Sequence, residues 1–147
     1  MDELYKELQL YSFKNNYNRQ NVGIGISLPF GKQIASRRAK TECLNNSKYP
    51  RIYQLLVDYG NKHVPIFWTS IMVNKNYECN PHKDSKNIGS SYIIGFGNYT
   101  GGELNIEGVK YNINNKPLIF NGSEKLHWVE PFVGTRYTVI YFNQFQQ

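Results

Sequence analysis

Cysteine is scarce in this chain. Of 147 residues only Cys43 and Cys79 are cysteines, and they form no CxxC pair. A disulfide-stapled scaffold of this length carries more of them, and a structural zinc site needs ligand pairs at short spacing, so neither is expected. Long apolar runs are missing too. Nothing approaches the roughly 20 consecutive apolar residues that cross a bilayer, so no membrane partner is expected. The opening MDELYKELQLY holds acidic residues and no uninterrupted apolar stretch, unlike a signal peptide. The expectation is a soluble intracellular protein, nuclear or cytoplasmic. Acidic residues are outnumbered, 11 against 17 Lys and Arg, which gives a net charge of +6. That sign suits a polyanionic partner such as DNA or another nucleic acid, because Lys and Arg displace counterions from phosphates. No obligate protein partner is implied.

What is present describes an ordinary globular chain. Hydrophobic residues make up 40% and charged residues 19%, a balance that argues against extended disorder. The length suits one compact domain over 1–147, able to bury roughly 70% of its unfolded surface. The first part, about 1–64, reads as helical or irregular. Leu4 and Leu8 recur at helical spacing, with Tyr11 following, and predict a short helix. The polar run from Lys14 to Asn21 breaks the pattern, and Val22 to Gly31 reads as a strand or extended loop ending near Pro29 and Gly31. The stretch from Lys32 to Leu44 reads as a helix with Ile34 and Ala35 turned inward. Its basic cluster, Lys32, Arg37, Arg38 and Lys40, is either a solvated helix face or a phosphate-binding patch. A further helix starts at Pro50, with Ile52, Leu55, Leu56 and Tyr59 on one face and Gly60 at its end.

From about 65 to 147 the texture turns to β. Ile66 to Val73 is rich in aromatic and β-branched residues, and further strand-like runs are Ser91–Phe96, Glu103–Glu107, Val109–Asn112, Pro117–Phe120, Leu126–Val129 and Arg136–Phe142. Turn residues separate them, among them Asn98 to Gly102, where Gly101 and Gly102 suit a tight hairpin with positive φ. Short strands every 8–12 residues or so indicate a sandwich or barrel rather than βαβ units. The expected class is α+β, a double-stranded β-helix (jelly roll) core buttressed by N-terminal helices.

Two of the three histidines stand where a metal site needs them. His82 and Asp84 flank Lys83 in NPHKDS; on an extended strand residues i and i+2 share a face, so imidazole and carboxylate reach one ion. His127 follows after several strands, and a jelly roll returns its late strands beside its early ones. Two histidines and one carboxylate on a single face leave three octahedral positions open, the ligand set of non-haem Fe(II) that binds a 2-oxo acid and O2 together. Nine residues after His127 comes Arg136, alternating with Thr138 in the apolar run GTRYTVIYF. A guanidinium beside a hydroxyl clamps a carboxylate, and a guanidinium in so apolar a strand needs an anionic partner.

The ordered set HKD, H, RYT resembles the HxD…H…RxS/T signature of the 2-oxoglutarate/Fe(II)-dependent dioxygenase superfamily over about the last half of the chain. The resemblance implies Fe(II), 2-oxoglutarate and O2, with His82, Asp84 and His127 as iron ligands and Arg136 and Thr138 on the far carboxylate of 2-oxoglutarate. More narrowly, Thr69 to Leu104 and the closing GTRYTVIYF resemble the TET/JBP branch, which oxidises 5-methyl groups of DNA pyrimidines such as 5-methylcytosine. That likeness places Asn87, three residues after Asp84, against the target base; by itself Asn87 also suits a turn. The chain departs from the animal TET enzymes in having no Cys-rich zinc region and no separate DNA-binding module. A prolyl- or lysyl-type protein hydroxylase with the same iron core is the alternative, and a binding module with a merely structural metal stands behind both. Elsewhere the expectations are plain: His63 at the surface after a helix, Trp68 and Trp128 packed in the core, Glu103 exposed, Cys79 near the metal segment without ligating, and Arg38 as a second clamp or a phosphate contact.

Overall fold

The computed structural model describes residues 1–13, 23–34 and 40–145. The polar run 14–21 and, from the basic cluster, Arg37 and Arg38 lie outside the described residues. The chain runs α1 (Asp2–Leu8), β1 (Gly23–Ile34), β2 (Lys40–Glu42), α2 (Asn45–Lys48), α3 (Pro50–His63), β3 (Ser70–Cys79), β4 (Ser91–Gly101), β5 (Leu104–Ile106), β6 (Val109–Tyr111), β7 (Leu118–Phe120), β8 (His127–Val129) and β9 (Phe132–Phe142). A six-stranded sheet in the order β2-β1-β3-β9-β4-β7 faces a smaller one, β6-β5-β8, and every paired strand is antiparallel. This is the expected jelly roll with helices on its outer face.

The last strand is the hinge of this architecture. β9 lies between β3 and β4, with Val139 opposite Val73 on one side and Ile94 on the other. Its period of two divides the molecule. Tyr137, Val139 and Tyr141 point toward the helices and join Leu4, Leu8, Phe30, Ile52, Leu56, Ile71, Val73, Ile94 and Phe96 in the main core. Arg136, Thr138 and Ile140 point the other way, toward the small sheet, where Ile93, Leu104, Ile106 and Ile113 form a second core.

The helices seal the first face. α1 buries Leu4 and Leu8, one turn apart, as their spacing predicts. α3 begins on Pro50, whose missing N–H costs nothing in the first turn, and buries Ile52, Leu56 and Gly60. Gly60 does not end the helix as expected; the chain turns out at Val64, extended at φ −90° and ψ 111°, because the residue before Pro65 disfavours helical geometry. The glycine has a packing reason instead. A Cβ there would lie 2.5 Å from Trp68 and 2.7 Å from Tyr141.

Several other boundaries differ from the sequence reading, each for a tertiary reason. Lys32 to Ile34 continue β1, and Lys40 to Glu42 form β2 paired to them, so the helix expected over 32–44 is absent from its described parts; Ile34 is 37% exposed rather than turned inward. Residues 35–39 between them are outside the described set. β1 therefore takes part of the supposed helical half into the main sheet. β3 begins at Ser70, not Ile66, and runs on through Asn74-Lys75-Asn76 to Cys79. Its asparagines are satisfied within the sheet: Ser27 Oγ donates to Asn74 Oδ1 at 2.8 Å, and Asn76 Oδ1 accepts the Arg136 N–H at 2.8 Å. β4 likewise passes Asn98 and reaches Gly101, still paired to β9. Gly101 and Gly102 both have positive φ, yet they form a corner between two sheets, not a hairpin within one. Leu56 is fully buried between α3 and the sheet. Leu56→Ala should therefore lower unfolding free energy by about 2–5 kcal/mol in a denaturant titration.

Candidate active site

Between β3 and β4 the chain crosses a loop, and this loop is stitched to the small sheet by backbone hydrogen bonds. His82 and His127 form an isolated antiparallel bridge, each N–H donating to the other's carbonyl at 3.0 Å. The Asp84 N–H donates to Gly122 O at 2.9 Å. His82 and Asp84 thus meet through an anchored loop rather than on the strand that their spacing suggested. The bridge brings the two imidazoles to a ring-centre separation of 4.3 Å.

Asp84 sits between the rings. Its Oδ1 is 3.5 Å from His82 Nε2 and its Oδ2 is 3.2 Å from His127 Nε2, and one ligand atom from each residue lies within 4.8 Å of the others. Two ligands at right angles around a first-row ion are roughly 3 Å apart, so small rotations would seat all three. The far nitrogens are already committed. His82 Nδ1 lies 2.6 Å from Asn80 O and His127 Nδ1 lies 2.9 Å from Lys125 O. A carbonyl only accepts, so each Nδ1 carries the proton and each Nε2 offers a lone pair inward. Phe120 packs edge-on against His127 at 5.1 Å. Gly122 is buried here: a Cβ on it would come within 3.2 Å of His127 and 3.3 Å of Asp84 Oδ2. It keeps the ligand face clear.

Deeper in the same cavity lies Arg136, only 2% exposed. Its Nε donates to Gly102 O at 3.1 Å, while one terminal nitrogen, Nη2, is buried with no hydrogen-bond partner. The guanidinium rests between the rings of Tyr99 and Phe132, 5.7 and 5.8 Å from their centres. Burial pulls the Arg136 pKa down; Tyr99, Cys79 and Glu103 oppose the shift. A guanidinium remains charged regardless. Burying a cation is costly unless an anion offsets it, and the charge of Glu103 acts on this one. Thr138 is on the same face, buried, opposite Asn74 on β3 and Gly95 on β4. Ile93, Leu104 and Phe120 complete an apolar lining.

A second depression opens on the other side of Asp84. This outer cleft, about 350 Å³, shares Asn74, Asp84 and Ile140 with the inner cavity and adds Lys83, Lys86, Asn87 and Gln144. Asn87 closes the turn after Asp84, its N–H donating to Asp84 O at 2.9 Å, and its Oδ1 accepts Gln144 Nε2 at 3.0 Å. The turn role suggested by sequence is present, and the side chain also borders the cleft.

The remaining candidates are quickly placed. His63 is exposed on the last turn of α3 with its ring against Tyr59. Trp68 packs on the core margin, but Trp128 does not join a core; it is half-buried on the outer side of β8, donating to Glu130 Oε2 at 2.7 Å. Glu103 is half-buried, with Oε2 buried and unpartnered, rather than exposed. Cys79 borders the inner cavity. Tyr99 and Gly102, both against Arg136, had no sequence signal beyond the turn pattern that hid them.

Neither a protein-family profile nor a curated protein matches the sequence. Solved structures do match the fold. NgTET1 in complex with 5mC DNA superposes with a TM-score of 0.64 at 20% identity, over 97% of this chain and 65% of that one. An oxidoreductase of the 2OG-Fe(II) oxygenase family from Burkholderia pseudomallei gives 0.59 at 16% identity, over 96% and 77%. A Pseudomonas putida prolyl-4-hydroxylase gives 0.55 at 14%, over 99% and 84%. This chain thus spans less than two thirds of NgTET1, and it has the double-stranded β-helix fold of the 2-oxoglutarate/Fe(II) oxygenases.

Proposed function

We propose that this chain is an Fe(II)- and 2-oxoglutarate-dependent dioxygenase that hydroxylates the 5-methyl group of a pyrimidine base, 5-methylcytosine or thymine, in DNA. The observation that carries the reading is one cavity with two built ends. A three-ligand face of His82, Asp84 and His127 stands at one end and the unpartnered Arg136 Nη2 at the other. Both ends fit the implied groups. The inward lone pairs and the carboxylate suit a ferrous ion, and the buried cation, with Thr138 beside it, suits the distal carboxylate of a dicarboxylic 2-oxo acid.

With iron, 2-oxoglutarate and O2 bound, such a centre oxidises a nearby C–H bond to an alcohol and releases succinate and CO2. The protein's share is placement. The Asn80 and Lys125 carbonyls fix the two imidazoles so that each Nε2 would be the atom that holds the ion. Arg136 and Thr138 set the orientation of the co-substrate from its far end. Ile93, Leu104 and Phe120 keep water from that volume. Lys83 and Lys86 border the outer cleft and favour a phosphate backbone, while Asn87 stands beside Asp84 to meet a base edge. A base in a duplex has to be flipped out to reach Asp84, at a cost on the order of a few kcal/mol, which the basic surface helps to offset.

The likeness to NgTET1, solved with 5mC DNA, supports the nucleic-acid substrate. The comparable likeness to a prolyl-4-hydroxylase favours the second reading, a protein hydroxylase with the same iron core. The two lysines at the cleft weigh toward the first. Succinate release by the iron-loaded protein, with and without methylated DNA, separates them. Turnover should appear with methylated DNA and yield a hydroxymethylated nucleoside by mass spectrometry; turnover stimulated by a peptide instead supports the second, and none at all refutes both.

His127→Ala should abolish tight Fe(II) binding in an anaerobic titration, since it removes one of three ligands. Arg136→Ala should raise the apparent KM for 2-oxoglutarate about tenfold or more, as expected for loss of a charge-assisted bond; an unchanged KM removes Arg136 from the co-substrate site. Asn87→Ala should depress base oxidation more than uncoupled succinate formation, and equal losses in both count against base contact.

A further inference from the structure

We propose that Gln144 is a positioning residue for substrate recognition: it turns the Asn87 carboxamide so that its NH2 group faces the outer cleft and meets a hydrogen-bond acceptor on the target base. The inference rests on the reading of Asn87 given above and names what that side chain reads. Its basis is a hydrogen bond in the cleft wall. Gln144 Nε2 donates to Asn87 Oδ1 at 3.0 Å, and both residues line the cleft. A carboxamide has an acceptor end and a donor end. With its oxygen held by Gln144, Asn87 keeps two N–H donors that have no protein partner among the described residues. Asn74 repeats the arrangement: its Oδ1 accepts the Ser27 hydroxyl at 2.8 Å, and its NH2 is the end left over. Lys83 and Lys86 add cationic donors at the rim. The floor is apolar, with Met72 on β3 opposite Ile140 on β9 and Phe142 following on the same face. A flat ring that carries acceptors on its edge suits such a chamber.

The two ends of this contact are fixed independently of it. On one side the Asn87 N–H donates to Asp84 O at 2.9 Å, so the carboxamide springs from a turn that starts at a prospective iron ligand. On the other, Gln144 stands between Asn143 and Phe145, both buried. The Asn143 side chain is fully engaged. Its Oδ1 accepts Thr69 Oγ1 at 3.1 Å and the Phe145 N–H at 3.0 Å, and its Nδ2 donates to Phe145 O at 2.8 Å. A main-chain bond of 2.7 Å from the Ile88 N–H to Asn143 O ties the two segments together. The loop therefore keeps its place without the Gln144 side chain, and what that side chain adds is the rotation of one carboxamide. A freely turning Asn offers a donor or an acceptor alike. A held one offers donors alone, and its ordering is complete before substrate arrives.

The test is anaerobic binding of DNA to the full chain loaded with Fe(II) and 2-oxoglutarate, read by fluorescence anisotropy. Two duplexes are compared, one with a central 5-methylcytosine and one with an abasic site in its place. The ratio of the two affinities separates contact with the base from contact with phosphates. Gln144→Ala should lower that ratio about threefold to tenfold, the cost of ordering one side chain on binding. Gln144→Glu should lower it further, because a carboxylate only accepts, draws an Asn87 N–H to itself and turns Oδ1 to the cleft. In an Asn87→Ala background neither change should lower it again. The melting temperature and the calorimetric affinity for 2-oxoglutarate should stay at wild-type values in Gln144→Ala. A ratio unchanged in Gln144→Ala but lowered in Asn87→Ala overturns the positioning role and leaves the base contact standing. Full preference for the base in Gln144→Glu overturns the donor assignment. Equal loss with or without Asn87 shows Gln144 acting by itself and overturns the proposal too. Wild-type protein with no preference for the base, or Asn87→Ala without effect, overturns the Asn87 reading itself, and this one with it.

Discussion

The pair of main-chain hydrogen bonds between His82 and His127 holds the site together. Without it the loop after β3 would lose the link that sets its His82 beside His127 on the small sheet. Backbone pairing is an economical way to fix such a geometry, because it is indifferent to side chains and leaves both imidazoles free to face inward. The Asp84 N–H bond to Gly122 adds a second point of attachment on the other side of the carboxylate. Three bonds thus define the position of a loop segment whose own sequence, Asn-Pro-His-Lys-Asp-Ser, has no preference for regular structure.

The strand β9 carries the other half of the design. One face contributes Tyr137, Val139 and Tyr141 to the hydrophobic core, and the opposite face presents a guanidinium and a hydroxyl to a cavity. The apolar face gives the strand a rigid mounting, so the charged face cannot drift. Tyr141 in particular is held from both sides, donating its hydroxyl to Leu56 O and packing against Trp68. A charge buried on so firm a support is strongly oriented, as the proposed carboxylate clamp would require.

Much of this was legible in the residues, and the failures share a cause. The clustering of His82, Asp84 and His127 could be anticipated from their ordered combination with Arg136 and Thr138, since HxD alone is a weak signal, and Arg136 drew notice as a guanidinium in an apolar run. α1 and α3 followed from their periodicity. The span 32–44 misled because Ala, Lys and Arg favour helix locally, whereas pairing of Lys32, Gln33 and Ile34 with β2 is a long-range preference no window contains. β3 was cut short at Val73 because its asparagines look like a turn until Ser27 and the Arg136 amide satisfy them. Tyr99 and Gly122 stayed hidden for the same reason: their importance lies in what they touch across the sheets, not in their neighbours along the chain.

The thin partition between the inner cavity and the outer cleft, made of Asn74, Asp84 and Ile140, gives the molecule a modular character. Lys83, Lys86, Asn87 and Gln144 border only the outer chamber, whereas Arg136 and Thr138 border only the inner one. Under the proposed function, substitutions at the outer positions would alter substrate contacts while leaving the inner cavity intact. Drift in the wall itself alters both at once. A scaffold divided in this way evolves new specificities at its rim and is conservative at its heart.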